Sequence, residues 1–214
     1  VAVDETGVFD KIRFFDQESS YELSWTDTGT IGTIGAMAAT PDGSALYVSS
    51  TAGMGKINIG VTPPGTSVPL PVSSHKYNDF AFDLARNVIY GTSTAGTVDV
   101  ISANDGSVTK EYLLHSGARP IGIDISPDGS EIAIALNGLQ AILFMEPQTG
   151  ETIASVRPVI GDEGNIYYEN QPFDVIYGRS GRLYSDGNPG SSDTDYLHVI
   201  DTSTHTWLAK SPYP

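Results

Sequence analysis

Short apolar stretches recur along this chain, each alternating with polar residues and each stopped by a turn. Ile121, Ile123 and Ile125 alternate with Gly122, Asp124 and Ser126, the period of two that puts one face of a strand in a core. Pro127-Asp128-Gly129 then reverses the chain. Proline presets φ, aspartate accepts from nearby amides, and glycine takes φ > 0. Further strands are predicted over 132–136, 141–145 and 152–156, separated by Asn137-Gly138 and by Pro147-Gln148-Thr149-Gly150. The same order holds around Thr40-Pro41-Asp42-Gly43, two periods of about 43 residues earlier. A degenerate copy, Phe80 to Gly91, lies halfway between them.

A repeat of this length built only from short strands predicts an all-β chain. It reads as a β-propeller of four-stranded antiparallel blades. The whole of 1–214 reads as one propeller domain or propeller fragment, with a partial blade over 1–33. Full blades follow at 34–76, 77–118, 119–169 and 170–214, about four and a half in all. Val1 to Gly7 reads as the end of a second strand, Lys11 to Phe15 as a third and Tyr21 to Trp25 as a fourth. A half blade leaves an unpaired strand edge. The expectation is therefore a piece of a larger propeller, completed by a missing segment or a second chain. The competing arrangement is a small closed ring of five blades.

Composition narrows the partners. The 26 acidic residues outnumber the 11 basic ones, for a net charge of −15. Phosphate binding needs a basic face, so nucleic acid is not an expected partner. No apolar run approaches the roughly 18 residues of a membrane span, and no signal-peptide pattern opens the chain. With no cysteine there is no disulfide framework, thiol nucleophile or zinc–thiolate site.

Ile125-Ser126-Pro127-Asp128-Gly129-Ser130, His198-Val199-Ile200-Asp201-Thr202-Ser203-Thr204 and Leu46-Tyr47-Val48-Ser49 together resemble the YVTN-type β-propeller repeats of surface-layer and related proteins. The chain departs from that pattern at Leu84-Ala85-Arg86 and Arg179-Ser180-Gly181, which stand in place of Pro-Asp-Gly. The resemblance implies a seven-bladed parent at an extracellular, periplasmic or cell-surface location. Similar propellers also serve as sugar-lactone hydrolases and as heavy subunits of amine dehydrogenases. The Trp-Asp and Gly-His signatures of WD40 scaffolding propellers are missing.

Candidate chemistry falls on the face formed by the connections between blades and by the second-to-third strand loops. His75, Tyr77, Asn78 and Asp79 precede or open one blade, His115 and Arg119 the next, and Tyr168, Asn170 and Gln171 the last. A His, an Asp and an Arg meeting at a channel could polarise a carbonyl or move a proton. Asp186, Asn188, Asp193 and Asp195 crowd three carboxylates and an amide into one loop, oxygen ligands of the kind calcium takes. They lack the ordered spacing of an EF-hand, and no other cofactor is expected. Gly161-Asp162-Glu163-Gly164-Asn165 forms a second acidic bend. No nucleophile elbow, phosphate loop or His-Glu-x-x-His motif appears. A non-enzymatic binding or structural propeller is thus the leading expectation, presenting loops to a protein or a cell-surface glycan. A sugar-lactone hydrolase and an accessory subunit of a redox complex are the alternatives.

Overall fold

The computed structural model describes residues 2–5, 11–15, 22–27, 34–40, 42–58, 75–157, 171–187 and 196–212. Every regular element of more than three residues among them is a β-strand. Strands β1 (Ala2–Glu5), β2 (Lys11–Phe15) and β3 (Glu22–Asp27) form one sheet, and β4 (Ile34–Ala39), β5 (Ala45–Ser50) and β6 (Gly53–Asn58) form the next. Three four-stranded sheets follow. The first comprises β7 (Tyr77–Asp83), β8 (Val88–Ser93), β9 (Thr97–Ser102) and β10 (Val108–Leu113). The second comprises β11 (Pro120–Ile125), β12 (Ile132–Leu136), β13 (Ala141–Met145) and β14 (Thr152–Val156). The third comprises β15 (Pro172–Gly178), β16 (Arg182–Gly187), β17 (Tyr196–Asp201) and β18 (Thr206–Pro212). Each is an antiparallel meander in chain order, the form of a propeller blade. The four sheets that begin with β4, β7, β11 and β15 are numbered blades 1 to 4 below.

Three predicted spans, 132–136, 141–145 and 152–156, coincide with the observed strands. Asn137-Gly138 is part of a short 3-10 turn, Asn137–Leu139, rather than a two-residue hairpin loop. Blade 1 has three strands among the described residues; the proline-rich stretch 63–71, whose prolines fit an outermost edge strand or a loop, lies outside them.

The turns are built as their residues require. In Thr40-Pro41-Asp42-Gly43, Asp42 accepts from the Ser44 N–H at 3.0 Å, and Gly43 sits at φ +69°. The copy at Asp128-Gly129 repeats this with Ser130 at 3.0 Å and φ +70°. Blade 2 keeps the shape without the motif. Asp83 caps the Arg86 N–H at 3.0 Å, and Asn87 takes the left-handed position at φ +53°.

The core lies between blades. Ile132, Ile134 and Leu136 of β12 pack towards blade 2 against Ala81, Tyr90 and Val98. Ala133 and Ala135, on the opposite face of the same strand, pack towards blade 4 against Val175, Leu183 and Ile200. A strand buried on both faces need not alternate apolar with polar residues, which is why 132–136 is apolar throughout. Blades 1 and 2 meet in the same way, through Tyr47, Met54, Phe80 and Ile89.

Candidate functional site

The inner strands β4, β7, β11 and β15 are neighbours around the axis. Each carries a register shift near its start, a bulge that breaks the ladder and frees backbone groups. Side chains meet backbone groups on the unpaired inner edges of these strands across the blade boundaries. Asp79 accepts from the next N–H, that of Phe80, with Oδ1 at 2.8 Å, and from Ile123 N–H of blade 3 with Oδ2 at 2.9 Å. Asp124 does the same with Ile125 at 2.8 Å and with Tyr177 of blade 4 at 2.7 Å. Burial pushes the Asp79 carboxyl up to about 6, backbone hydrogen bonds oppose the shift, and the charges of Asp174 and Asp124 add to it. Burial also raises Asp124. Asp79, a predicted site residue, is thereby a clip between blades.

Hydroxyls make further stitches. Ser49 Oγ and the Tyr77 backbone exchange hydrogen bonds at 3.0 Å. Thr92 Oγ1, one period on, donates to the Ile121 carbonyl. Tyr47 donates to the Ala103 carbonyl of blade 2, and Tyr90, also one period on, reaches the Pro147 carbonyl of blade 3 at 3.3 Å.

Two of the predicted residues, His75 and Tyr77, are brought together by a third, Asp99, that is not among the residues the sequence singles out. Asp99, on β9, is fully buried. Its Oδ2 lies 2.6 Å from His75 Nδ1 and accepts from the Tyr77 hydroxyl at 2.8 Å, and its Oδ1 accepts from Thr97 Oγ1 at 2.6 Å. The hydrogen bond to Asp99 raises the His75 pKa against the opposing effect of burial. His75, Asp99 and Glu111 offer ligand atoms within 4.8 Å of one another. The two Asp99 oxygens already hold three hydrogen bonds, so the arrangement is a polar brace across blade 2. The signal in the sequence was Thr97-Val98-Asp99, polar residues in an otherwise apolar stretch, since a buried carboxylate requires partners.

His115 is exposed, its nearest hydrogen-bond acceptor being the adjacent Ser116 carbonyl at 3.5 Å. Arg119 is exposed and takes φ +45°, while its carbonyl accepts from Asn137 N–H. Asn78 Nδ2 donates to the Pro120 carbonyl at 2.8 Å, and Gln171 is half-buried just before β15. Of the predicted calcium loop, Asp186 uses Oδ1 to accept the Asp174 N–H at 2.7 Å. Tyr168, Asn170, Asn188, Asp193, Asp195 and the bend 161–165 lie outside the described residues.

A cleft of about 490 Å³ opens between blades 3 and 4 on the opposite face, where first-to-second strand turns gather. Ser126, Asp128, Glu131, Tyr177, Arg179 and Thr202 contribute to its walls. Glu131 ties the two blades together there: Oε1 accepts the Tyr177 hydroxyl at 2.9 Å, and Oε2 lies 2.8 Å from His205 Nε2. Burial raises the Tyr177 pKa and keeps the phenol a donor. Hydrogen bonds from Ser130 and Ser126 lower Asp128 to about 2, so that wall stays anionic. In the sequence Ser126 to Ser130 reads only as a turn and carries no sign that it borders a cleft.

No protein-family model and no curated protein matches this sequence. Among solved structures, a chain of hydrazine synthase from Kuenenia stuttgartiensis is similar, with a TM-score of 0.67 and 17% sequence identity. The likeness covers 94% of this chain and 53% of that one, so the chain spans about half the length of its structural relative. With as many as 1365 solved chains matching, likeness at this level speaks for fold and leaves chemistry open. What the blades and the likeness together establish is an all-β, β-propeller-like fold.

Proposed function

We propose that the chain is a non-enzymatic binding segment of a larger, seven-bladed propeller of the YVTN type, carried at the cell surface or in an exported protein. The observation that carries this reading is the cleft between blades 3 and 4. Hydroxyls, carboxylates, a guanidinium and a phenol are among the groups lining this open groove of about 490 Å³. That chemistry suits a hydroxyl-rich ligand, a cell-surface glycan, held by hydrogen bonds from several directions. On the loop face, by contrast, Asp79 and Asp99 hold neighbouring strands together, which supports a structural role for the residues otherwise suited to acid–base work.

The test is an immobilised oligosaccharide panel probed with the whole chain, beside Arg179→Ala and Thr202→Ala. Selective binding that both substitutions weaken about tenfold or more supports the reading. Failure to bind any glycan, or binding indifferent to both changes, removes the cleft as the site. Turnover of a lactone by the same preparation would overturn the non-enzymatic part.

A further inference from the structure

Two devices that join one blade to the next are also present on blade 4, where among the described residues neither reaches a following blade. Tyr184 pairs with Ile176 across β15 and β16, as Tyr90 pairs with Ala81 and Tyr47 with Ala38. It therefore occupies the position whose hydroxyl, in blades 1 and 2, donates to a turn carbonyl of the following blade. Asp174 lies two strand positions before Ile176, as Asp79 lies two before Ala81. Its Oδ1 accepts the next N–H, that of Val175, at 2.8 Å. That is the local half of the clip formed by Asp79 and by Asp124. Among the described residues nothing bonds the Asp174 Oδ2 or the Tyr184 hydroxyl.

The surface between these two groups is apolar. Ile176 is 60% exposed. A recess of about 150 Å³ there is lined by Asp174, Val175, Ile176, Tyr184, Asp186 and Leu197. On blades 2 and 3 the corresponding faces are closed by the next blade, with Ala81, Tyr90, Ala133 and Ala135 all under a tenth exposed.

Building on the reading of the chain as part of a larger propeller, we infer that this face of blade 4 is the docking surface for one further blade of the same repeat. The incoming inner strand gives an inner-edge N–H to the Asp174 Oδ2, and its outer turn gives a carbonyl to the Tyr184 hydroxyl. The occupant is fixed by continuity. The donor and acceptor positions are those of the boundary between blades 2 and 3, where Asp79 and Tyr90 both reach across, and a structural relative of nearly twice the length has room for more of the array.

The chain has no cysteine, so Ile176→Cys reports burial of this face through the rate of thiol labelling. The chain is lengthened after Pro214 by a duplicate of residues 114–157, the blade that supplies Ile123 N–H and the Pro147 carbonyl within the chain. Labelling at position 176 is expected to slow about tenfold or more relative to the unextended chain. Adding Asp174→Asn and Tyr184→Phe should restore most of the rate. Leu113→Cys, at a site 85% exposed on blade 2, should label equally fast in both lengths. If the double variant loses its fold by circular dichroism, Tyr184→Phe alone decides, since it removes only a hydroxyl. Undiminished labelling in the extended chain, or slowing that ignores both substitutions, overturns the inference. So does labelling that is already slow in the unextended chain and quickens on dilution, which identifies a second copy as the occupant. None of these outcomes depends on glycan binding at the cleft.

Discussion

Asp79 and Ile123 belong to different blades, yet the Asp79 carboxylate accepts the Ile123 N–H at 2.9 Å. Inner strands of neighbouring blades form no ladder with each other, and this side chain supplies the bond the backbone lacks. Its ionisation follows from the same position. With burial raising its pKa to about 6 in the fold, from an unfolded value near 3.9, the native state holds this proton more tightly than the unfolded chain. The stability it contributes is full below about pH 4 and is lost as pH rises through about 6. Urea unfolding of the parent and of Asp79→Asn, compared between pH 4 and 6.5, should show the parent's advantage shrinking with rising pH. A constant difference would remove Asp79 as the titrating group.

His75 titrates in a higher window. Its pKa is raised by the bond to Asp99, so the brace contributes fully below about pH 6.5 and fades as pH rises through the folded value. At pH 6, His75→Gln should cost about 1.5–3 kcal/mol, the scale of a hydrogen bond to a charged group. The cost should decline towards pH 8.5, as read from thermal melts across that range.

Gly122 allows blades 3 and 4 to approach. A Cβ there would lie 2.7 Å from the Asp174 Cα and 2.9 Å from the Phe173 carbonyl oxygen, both backbone atoms. Gly122→Ala should therefore destabilise by about 1–3 kcal/mol through overpacking. The midpoint of urea unfolding reports it, with Ala36, two periods back in the repeat, showing that the residue type itself suits the strand.

Tyr47→Phe and Tyr184→Phe remove the same atom from equivalent positions. The first leaves the Ala103 carbonyl without the donor it has across the blade boundary and should cost about 1–3 kcal/mol. The second removes a hydroxyl that bonds nothing among the described residues and should stay within about 0.5 kcal/mol in this chain. Parallel denaturation curves would separate the two.

The blades were legible because their information is local. Pro127-Asp128-Gly129 specifies a turn in three residues, and the alternation of Ile121, Ile123 and Ile125 needs no distant partner. Tyr47 and Tyr90 stand one period apart, and their shared role could be read once the repeat was set. The brace was not legible, because His75 and Asp99 are brought together by the packing of a connection on a third strand. Asp79 looked like a catalytic candidate for a similar reason. The sequence carries no sign that Ile123 N–H, an inner-edge amide of another sheet, would claim its carboxylate. The cleft depends on the spacing of two adjacent blades, which no single repeat encodes.

The Asp124–Tyr177 clip has a consequence for how such arrays change over time. It spans a connection in which the repeat lengthens from about 43 to roughly 52 residues, yet it keeps the same bonding as Asp79–Ile123. Because adjacent inner strands are fastened directly, the loop joining two blades is relieved of positioning them. Such loops are free sites for grafting, where evolution or an engineer can add length and new chemistry while the wheel beneath keeps its geometry.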